Sequence, residues 1–280
     1  MRQSQASSTA RGTVATRALE TEKPVAVRIC DDPLARKLAD PLFYFLIRLF
    51  AGYGERRTHG DLTFIACRQR YIDDFLRQSL EAGASQVVIL GAGLDSRAYR
   101  EGFQTIRFFE IDHPATQRGK VQKLHRILGE IPSNVTFVPV DFDTETLDKL
   151  LTHGFDPKTR TVFIWEGVTQ YLTEQGINAT LAWVRDNAAS GSSIVFDYQH
   201  DSPTKKSFLG SLMSGISGEQ RAFEIPEQSI TQFLEVRGFS NVVNVGPQQL
   251  KALYCIGPNH DRTVPNIYSS VRAEVLPGAA

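Results

Sequence analysis

Cysteine is scarce in this sequence, and no two cysteines have the spacing of a metal or redox motif. The 280 residues include three cysteines, Cys30, Cys67 and Cys255, which are far apart and form no CxxC pair. An odd number of widely spaced cysteines argues against a disulfide framework and against a structural zinc site. We therefore expect no metal site and a reducing, cytoplasmic location.

An excess of charge of either sign is also missing. Lysine plus arginine and aspartate plus glutamate number 31 each, so no global field favours nucleic acid or an anionic membrane surface as a partner. Long apolar runs are missing too. The longest, residues 42–50, is interrupted by Arg48 and is far too short to span a bilayer.

Acidic residues are absent from residues 1–19, which contain Arg2, Arg11 and Arg17 together with several serines and threonines. Taken alone, this composition is typical of a transit peptide or of a frayed tail. The overall composition, 41% hydrophobic and 22% charged, is that of an ordinary globular protein.

Short apolar runs alternate with helical patterns from Gln86 onward, which predicts a parallel sheet with right-handed crossovers. The region before Gln86 is mainly helical, with one helix starting at Pro41 and ending at the glycines of residues 52–54. The predicted strands are residues 86–90, 106–111, 135–140, 161–165, 193–197, 241–245 and 253–257, the last two antiparallel, and further predicted helices are 63–80, 114–128, 144–151, 173–187 and 226–236.

These elements predict one α/β domain, a doubly wound, seven-stranded, Rossmann-like sheet with an N-terminal helical cap. We expect the cap over residues 1–84 and a cofactor-binding core over 85–198. An insertion or lid is expected over 199–225, and residues 226–280 would complete the sheet.

The stretch QVVILGAGLDSRAYR, residues 86–100, has the pattern of a ligand-binding crevice. An apolar strand is followed at once by Gly91 and Gly93, where the chain turns sharply and a ligand can approach the backbone. Asp95 and Ser96 then offer N-caps for a helix beginning near Arg97. In open α/β sheets, ligands bind at this place.

Acidic residues follow the next three strands at the same edge of the sheet: Asp112, Asp141 and Glu166. An acid about 20 residues after the glycine turn is where a ribose hydroxyl pair is held. Glu110 and Asp112 share strand parity, and Asp112 lies further out on the rim, so we assign the ribose to Asp112.

Two ligands fit this pattern: a nicotinamide dinucleotide and S-adenosylmethionine. The dinucleotide fingerprint G-x-G-x-x-G requires a third glycine, but Ser96 stands there and bulky Arg97 follows. Acids at successive strand ends also suit a cationic sulfonium better than a pyrophosphate.

Seven segments together resemble one known family. TARGTVATRALE, DDPLA, RQRYIDDFL, VVILGAGLDSRAYR, FEIDHPATQ, VDF and WEGVTQYLT occur in this order over about residues 9–185. The combination resembles the leucine carboxyl methyltransferase-like family of S-adenosylmethionine-dependent O-methyltransferases, which have a class I methyltransferase fold. The first segment resembles one that folds over the site, which speaks against a transit peptide.

The resemblance implies a role for each cofactor-binding residue. Arg68 would clamp the methionine carboxylate with its planar fork, with Arg70 as the alternative because the helix register is open. The other implied contacts are Gly91 and Gly93 to the methionine portion, Asp112 to the ribose, Asp141 to the adenine amino group, Phe142 to the adenine ring and Glu166 to the methionine amino group.

The acceptor is less defined, because the resemblance fades beyond residue 190. We expect a small-molecule carboxylate, oriented by an arginine, Lys205, Lys206 or Tyr171, although Tyr171 is equally well interpreted as a core tyrosine. A phenol would need a general base, for which His200 is the candidate. Alternatives are a protein C-terminal carboxylate as acceptor, a nicotinamide-dependent oxidoreductase and a non-catalytic cofactor-binding protein.

Overall fold

A twisted sheet carries the functional elements of the chain. The computed structural model describes residues 8–58, 60–142, 144–200 and 223–276, and in these residues seven strands form one sheet in the order β3-β2-β1-β4-β5-β7-β6. Lys205, Lys206 and most of the predicted insertion over 199–225 lie outside the described residues. β1 to β5 are parallel, and β7 runs antiparallel between β5 and β6.

The strands follow the predicted order up to β6. The strands are β1 Gln86–Leu90, β2 Arg107–Asp112, β3 Val135–Pro139, β4 Thr161–Trp165, β5 Ser193–Gln199, β6 Phe239–Val245 and β7 Tyr268–Val275. The α-helices are α1 Ser8–Thr21, α2 Ala35–Leu38, α3 Pro41–Thr58, α4 Asp61–Glu81, α5 Pro114–Leu128, α6 Lys149–Thr152, α7 Glu174–Asn187, α8 Ile230–Glu235 and α9 Pro247–Tyr254. Among the described residues, no helix combines the length and apolarity needed to cross a membrane.

The central strands are buried on both faces, which explains their continuous apolar sequences. Along β1, Val88 and Leu90 belong to one core cluster, and Val87 and Ile89 belong to another. Because successive side chains of a strand point to opposite faces, the two clusters cover the two sides of the sheet. This is the doubly wound arrangement that the sequence predicts.

The N-terminal helices form a third core cluster above the sheet. Val14, Ala15 and Ala18 of α1 pack there against Leu38 and Tyr44. This packing fixes α1, whose other face is then available to the cavity described below. The run at residues 42–50 contributes buried residues to α3 but also a row of exposed apolar side chains on its outer face: Leu42, Phe45, Leu46, Leu49 and Phe50.

Two N-terminal predictions are wrong. α3 does not end at the glycines of residues 52–54 but continues to Thr58; glycine inside a helix costs only about 1 kcal/mol, which packing against α1 and α4 offsets. The predicted α-helix from Arg97 is a single 3₁₀ turn, Arg97–Tyr99. Asp95 Oδ1 accepts from the Arg97 N–H at 2.8 Å, but the Ser96 side chain makes no capping bond. The Arg97 side chain is buried and pairs with the carboxylates of Asp73 and Asp95.

Two further predictions fail in the second half of the chain. Residues 253–257 are not a strand; they comprise the last two residues of α9, which begins at Pro247, and the three residues after it, and the last strand is β7. A short apolar run does not by itself distinguish a strand from a helix, and proline at the first helical position decides for the helix. The helix predicted over 144–151 is reduced to α6.

Candidate active site

A cavity of about 340 Å³ lies beyond the carboxyl ends of β1 to β4. Its walls are the glycine turn after β1, the residues that follow β2, β3 and β4, and one side of α1. The predicted site residues that line it are Arg68, Gly91, Gly93, Asp112, Asp141, Phe142, Glu166 and Tyr171. The structure therefore brings together residues that are separated by up to a hundred positions in the chain.

The glycine turn forms a floor that only backbone atoms can make. Gly91 has φ +68°, and a Cβ on it would lie 2.5 Å from Val168 Cγ2. Gly93 has φ +46°, and a Cβ on it would lie 3.3 Å from the Cβ of Ala10 in α1. Positive φ and close neighbours both require glycine here. A ligand in the cavity can therefore approach the main chain closely.

Asp112 is held rigidly at the rim. Its Oδ2 accepts from the Gly93 N–H at 2.5 Å, and its Oδ1 accepts from the His113 N–H at 2.7 Å. Burial raises the pKa of Asp112, and the two backbone N–H groups oppose that rise. Each carboxylate oxygen keeps a further lone pair for a ligand hydroxyl.

Glu110 has a different environment, although it shares a strand face with Asp112. It is fully buried and pairs with Lys120 Nζ at 2.7 Å. Glu110 is not one of the described residues that line the cavity. Of the two acids on this strand face, Asp112 is the one that lines the cavity.

Arg68, rather than Arg70, faces the cavity. Residues two apart on a helix lie roughly 200° apart around its axis, so only one of the two can face inward. The Arg70 side chain is 48% exposed and pairs with Asp74 at 2.9 Å. The Arg68 side chain is 6% exposed, and its Nη1 donates to Asp197 Oδ2 at 2.7 Å.

Glu166 lies between two arginines at the end of β4. Its Oε1 accepts from Arg68 Nε at 3.1 Å, and its Oε2 lies 2.8 Å from Arg97 Nη1. Burial by itself raises the pKa of Glu166, but the charges of Arg97 and Arg68 outweigh burial, and the pKa lies below its ordinary value. Glu166 is therefore ionised and presents a negative charge to the cavity.

The outer end of the cavity carries Asp141 and Phe142. His113 Nε2 lies 3.8 Å from Asp141 Oδ2, and Phe142 packs beside the main core cluster. The Asp141 carboxylate can accept a hydrogen bond, and the half-buried Phe142 ring can stack on a flat group. Together they suit a flat heterocycle that carries an amino group. Tyr171 ends the 3₁₀ turn Thr169–Tyr171 and lines the same cavity.

His200 is not brought to the site. It does not line the cavity formed by the described residues, and its ring Nε2 lies 2.6 Å from Ser269 Oγ in β7. Its ring is buried, and burial lowers its pKa. Glu227, whose carboxylate is 4.0 Å from Nδ1, opposes that effect.

Sequence reasoning missed two charged residues that line the cavity, Arg17 and Asp95. It also missed Arg97 and Asp197, which pair with the lining residues Glu166 and Arg68. Arg17 lines the cavity from α1, and its Nη2 donates to the Leu94 carbonyl at 2.6 Å. Asp197 accepts from both Arg68 and the Gly167 N–H. The sequence contains a signal for such residues, namely a charged residue within an otherwise apolar strand or helix face. Burying that charge without a partner has a large free-energy cost, so a partner is expected.

Comparison with known proteins finds a matching family and several relatives. The sequence profile of the leucine carboxyl methyltransferase family matches residues 10–185. A Bacillus subtilis protein, provisionally named an S-adenosyl-L-methionine-dependent methyltransferase, is 35% identical over 67% of this chain and 64% of its own length. A Mycolicibacterium smegmatis protein with the same provisional name is 31% identical over 74% of this chain and 70% of its own length. The match to the first of these relatives thus spans less than two thirds of that relative.

Solved structures share the fold. A protein from Thermobifida fusca, provisionally described as a methyltransferase, superimposes with a TM-score of 0.59 at 16% identity, over 95% of this chain and 94% of that one. The CurJ carbon methyltransferase superimposes with a TM-score of 0.52 at 12% identity, over 96% of this chain and 90% of that one. The predicted fold class is confirmed. Because a protein that shares this fold is named a carbon methyltransferase, the fold alone does not define the acceptor atom.

Proposed function

The chain belongs to the leucine carboxyl methyltransferase family, and on that premise we propose that it transfers a methyl group from S-adenosylmethionine to a carboxylate oxygen of a small molecule. The observation that carries this proposal is one cavity in which Arg68, Glu166 and Asp112 lie around a glycine floor. These groups complement a nucleoside with an amino-acid tail.

The donor set fits S-adenosylmethionine group by group. The guanidinium of Arg68 would hold the methionine carboxylate, and ionised Glu166 would accept from the ammonium. Asp112 would accept from the ribose hydroxyls, and Asp141 and Phe142 would hold the adenine. Gly91 and Gly93 line the cavity without side chains, so the methionine portion would lie against their backbone.

A nicotinamide dinucleotide fits less well. The third glycine of its fingerprint allows the pyrophosphate to approach a helix N-terminus. Here the turn leads into a 3₁₀ turn instead of a helix, and the acids Asp95 and Glu166 line the same space. A pyrophosphate would meet negative charge there, whereas a sulfonium and an ammonium are attracted by it.

The residues of the chain contribute by orientation rather than by acid–base chemistry. The bound donor supplies a methyl group that its sulfonium already activates. A carboxylate acceptor is ionised at neutral pH and needs no base, and good alignment of two reactants gives about 7–11 kcal/mol. Tyr171 lines the cavity, and its hydroxyl would donate to the acceptor carboxylate and orient it.

The position of His200 supports a carboxylate over a phenol. A phenolic acceptor would have to lose its proton to a base within hydrogen-bond reach. His200 is the candidate for that base that the sequence offers. It pairs with Ser269 and is not one of the described residues that line the cavity. The three buried free thiols suit the reducing, cytoplasmic environment that forms part of this proposal.

Calorimetry and product analysis test the proposal. Titration with S-adenosylmethionine, and separately with NAD, should show binding of the first only; the reverse result would contradict the methyltransferase function. Methyl-labelled S-adenosylmethionine is then incubated with panels of carboxylic acids and phenols. A methyl ester releases labelled methanol in mild base, whereas a phenol ether does not, so a base-stable product would contradict the carboxylate acceptor.

A further inference from the structure

Arg97 is the most enclosed charged side chain beside the cavity, and it is fully buried. It lies in the turn after β1, next to the position where a dinucleotide-binding turn has its third glycine. Among the described residues, Asp95 and Glu166 line the cavity and Arg97 does not. Arg97 is therefore one layer behind the surface that a ligand would touch.

Three carboxylates from three segments meet at the Arg97 guanidinium. Nε donates to Asp73 Oδ1 of α4 at 2.6 Å, and Nη1 donates to Asp95 of the glycine loop. The same Nη1 lies 2.8 Å from Glu166 Oε2 after β4. A planar guanidinium can bridge several carboxylates at once, whereas a single ammonium group cannot reproduce that geometry.

The two arginines around Glu166 divide its oxygens between them. Arg68 of α4 contacts Oε1, and Arg97 contacts Oε2. Arg68 also lines the cavity and is the group proposed to bind a ligand carboxylate, so its charge is shared once a ligand is present. Arg97 also pairs with Asp73 and Asp95. It does not line the cavity, so a bound ligand would not compete with Glu166 for its guanidinium.

The other charges that face Glu166 come from the elements packed around it. Arg17 of α1 adds positive charge, while Asp95 in the glycine loop and Asp197 of β5 add negative charge. Burial raises the pKa of Glu166, and Arg97 is the strongest of the charges that lower it. Without Arg97, only Arg68 and Arg17 would oppose burial and the two acids, so the pKa of Glu166 would rise.

We propose that Arg97 is a positioning residue, which keeps Glu166 ionised and aimed into the cavity so that Glu166 accepts from the ammonium of an amino-acid ligand. This inference rests on the proposed function, in which that ligand is the methyl donor. Replacing Arg97 with an uncharged residue lets Glu166 take up a proton at a higher pH. A protonated Glu166 then offers no negative charge to the ammonium.

Two nucleosides separate this role from a purely structural one. S-Adenosylhomocysteine carries the amino-acid tail, whereas 5′-methylthioadenosine lacks it and depends only on the ribose and adenine contacts. The affinities of both are measured by calorimetry for the wild type and for Arg97→Met and Arg97→Lys between about pH 5 and pH 8, a range above the ordinary glutamate pKa.

We expect the wild type to bind S-adenosylhomocysteine with nearly constant affinity across this range. In Arg97→Met the affinity should be lower and should fall as the pH falls, by up to about tenfold per pH unit below the raised pKa of Glu166. Affinity for 5′-methylthioadenosine should stay unchanged in both proteins. Arg97→Lys should give an intermediate result.

Arg100→Met is the matched control. Arg100 belongs to the same buried network, but it pairs with Asp73 and Asp32 rather than with Glu166. We expect this variant to lose stability without changing the ratio of the two nucleoside affinities. Circular dichroism and thermal unfolding establish that each variant is folded.

The inference is wrong if folded Arg97→Met binds S-adenosylhomocysteine as the wild type does at every pH, or if it loses affinity for both nucleosides equally. If Arg97→Met does not fold, Arg97→Lys decides by the same criteria. A wild type whose affinity for S-adenosylhomocysteine falls steeply below about pH 7 would also contradict an ionised Glu166. A wild type that binds neither nucleoside contradicts the proposed function instead.

Discussion

Val168 Cγ2 occupies the space where a side chain on residue 91 would begin, since a Cβ on Gly91 would lie 2.5 Å from it. The turn after β1 and the loop after β4 are therefore in direct contact beneath the cavity. The contact explains why the residue at position 91 has no side chain.

Gly91→Ala is expected to lower stability and to weaken donor binding. The positive φ of Gly91 costs an L-residue about 1–2 kcal/mol, and the clash with Val168 adds to that cost. Gly102→Ala is the control, because Gly102 also has positive φ, +90°, but a Cβ there meets nothing within 4 Å. Chemical denaturation should show a larger loss for Gly91→Ala, which Val168→Ala should partly restore; equal losses in the two variants would contradict the close contact.

Arg68→Lys is expected to weaken binding of S-adenosylhomocysteine by about 10–100-fold, the equivalent of one hydrogen bond between charged groups. Lysine keeps the charge but loses the fork that can hold a carboxylate with two bonds. Arg70→Lys, two residues away on the exposed face of α4, should bind as the wild type. Calorimetry measures both, and a loss in Arg70→Lys with Arg68→Lys unaffected would reverse the assignment.

Asp112 and Glu110 lie on the same face of β2, but we expect Asp112→Ala to affect donor binding and Glu110→Gln to affect stability. Asp112→Ala removes the ribose acceptor and should abolish measurable donor binding while the protein stays folded. Glu110→Gln leaves Lys120 buried without its counter-charge and should cost about 3–5 kcal/mol of unfolding free energy. Calorimetry and denaturant unfolding check the pair; unchanged donor affinity in Asp112→Ala would remove the ribose assignment.

His200 is expected to make stability depend on pH near neutrality. Burial lowers its pKa in the folded protein below the value of about 6.5 in an unfolded chain. Its contribution is fully present above that value and is lost as the pH falls toward the folded pKa, because the unfolded state binds the proton first. The unfolding free energy of the wild type should therefore decrease relative to that of His200→Gln between about pH 7 and pH 5.

The same variant tests whether His200 acts in the reaction. Glutamine at position 200 can still bond to Ser269, so the fold should be preserved. With a carboxylate acceptor, turnover at neutral pH should stay close to that of the wild type. A large loss of turnover with unchanged donor affinity would instead support His200 as a base.

Much of the fold was predictable because its signals are local. The buried strands of the core are continuous apolar runs, and β1 and β4 have the predicted bounds. α7 lies within the predicted range 173–187, and Thr173 caps it, with its Oγ1 accepting from the Gly176 N–H at 3.2 Å. The order of β6, α9 and β7 was not predictable in the same way, because short apolar runs near the C-terminus fit either a strand or a helix.

The placement of the acids at the cavity was predictable for a topological reason. The carboxyl ends of parallel strands meet at one edge, so Asp112, Asp141 and Glu166 had to lie near one another. The sequence did not predict which of these three carboxylates pairs with a positively charged side chain. Arg97 counted only as a bulky residue in the sequence, yet it is the centre of a buried network of carboxylates.

The family, the parallel core and the glycine floor could be inferred without coordinates, because each depends on residue type and on spacing along the chain. The orientation of Arg68 rather than Arg70 toward the cavity, the pairing of His200 with Ser269 and the pairing of the buried charges became known from the folded chain. Arg68 finds its partners 98 and 129 positions away, in Glu166 and Asp197. Burying a charge is stable only beside an opposite one, and that choice of partner is made by packing, which spacing along the chain does not record.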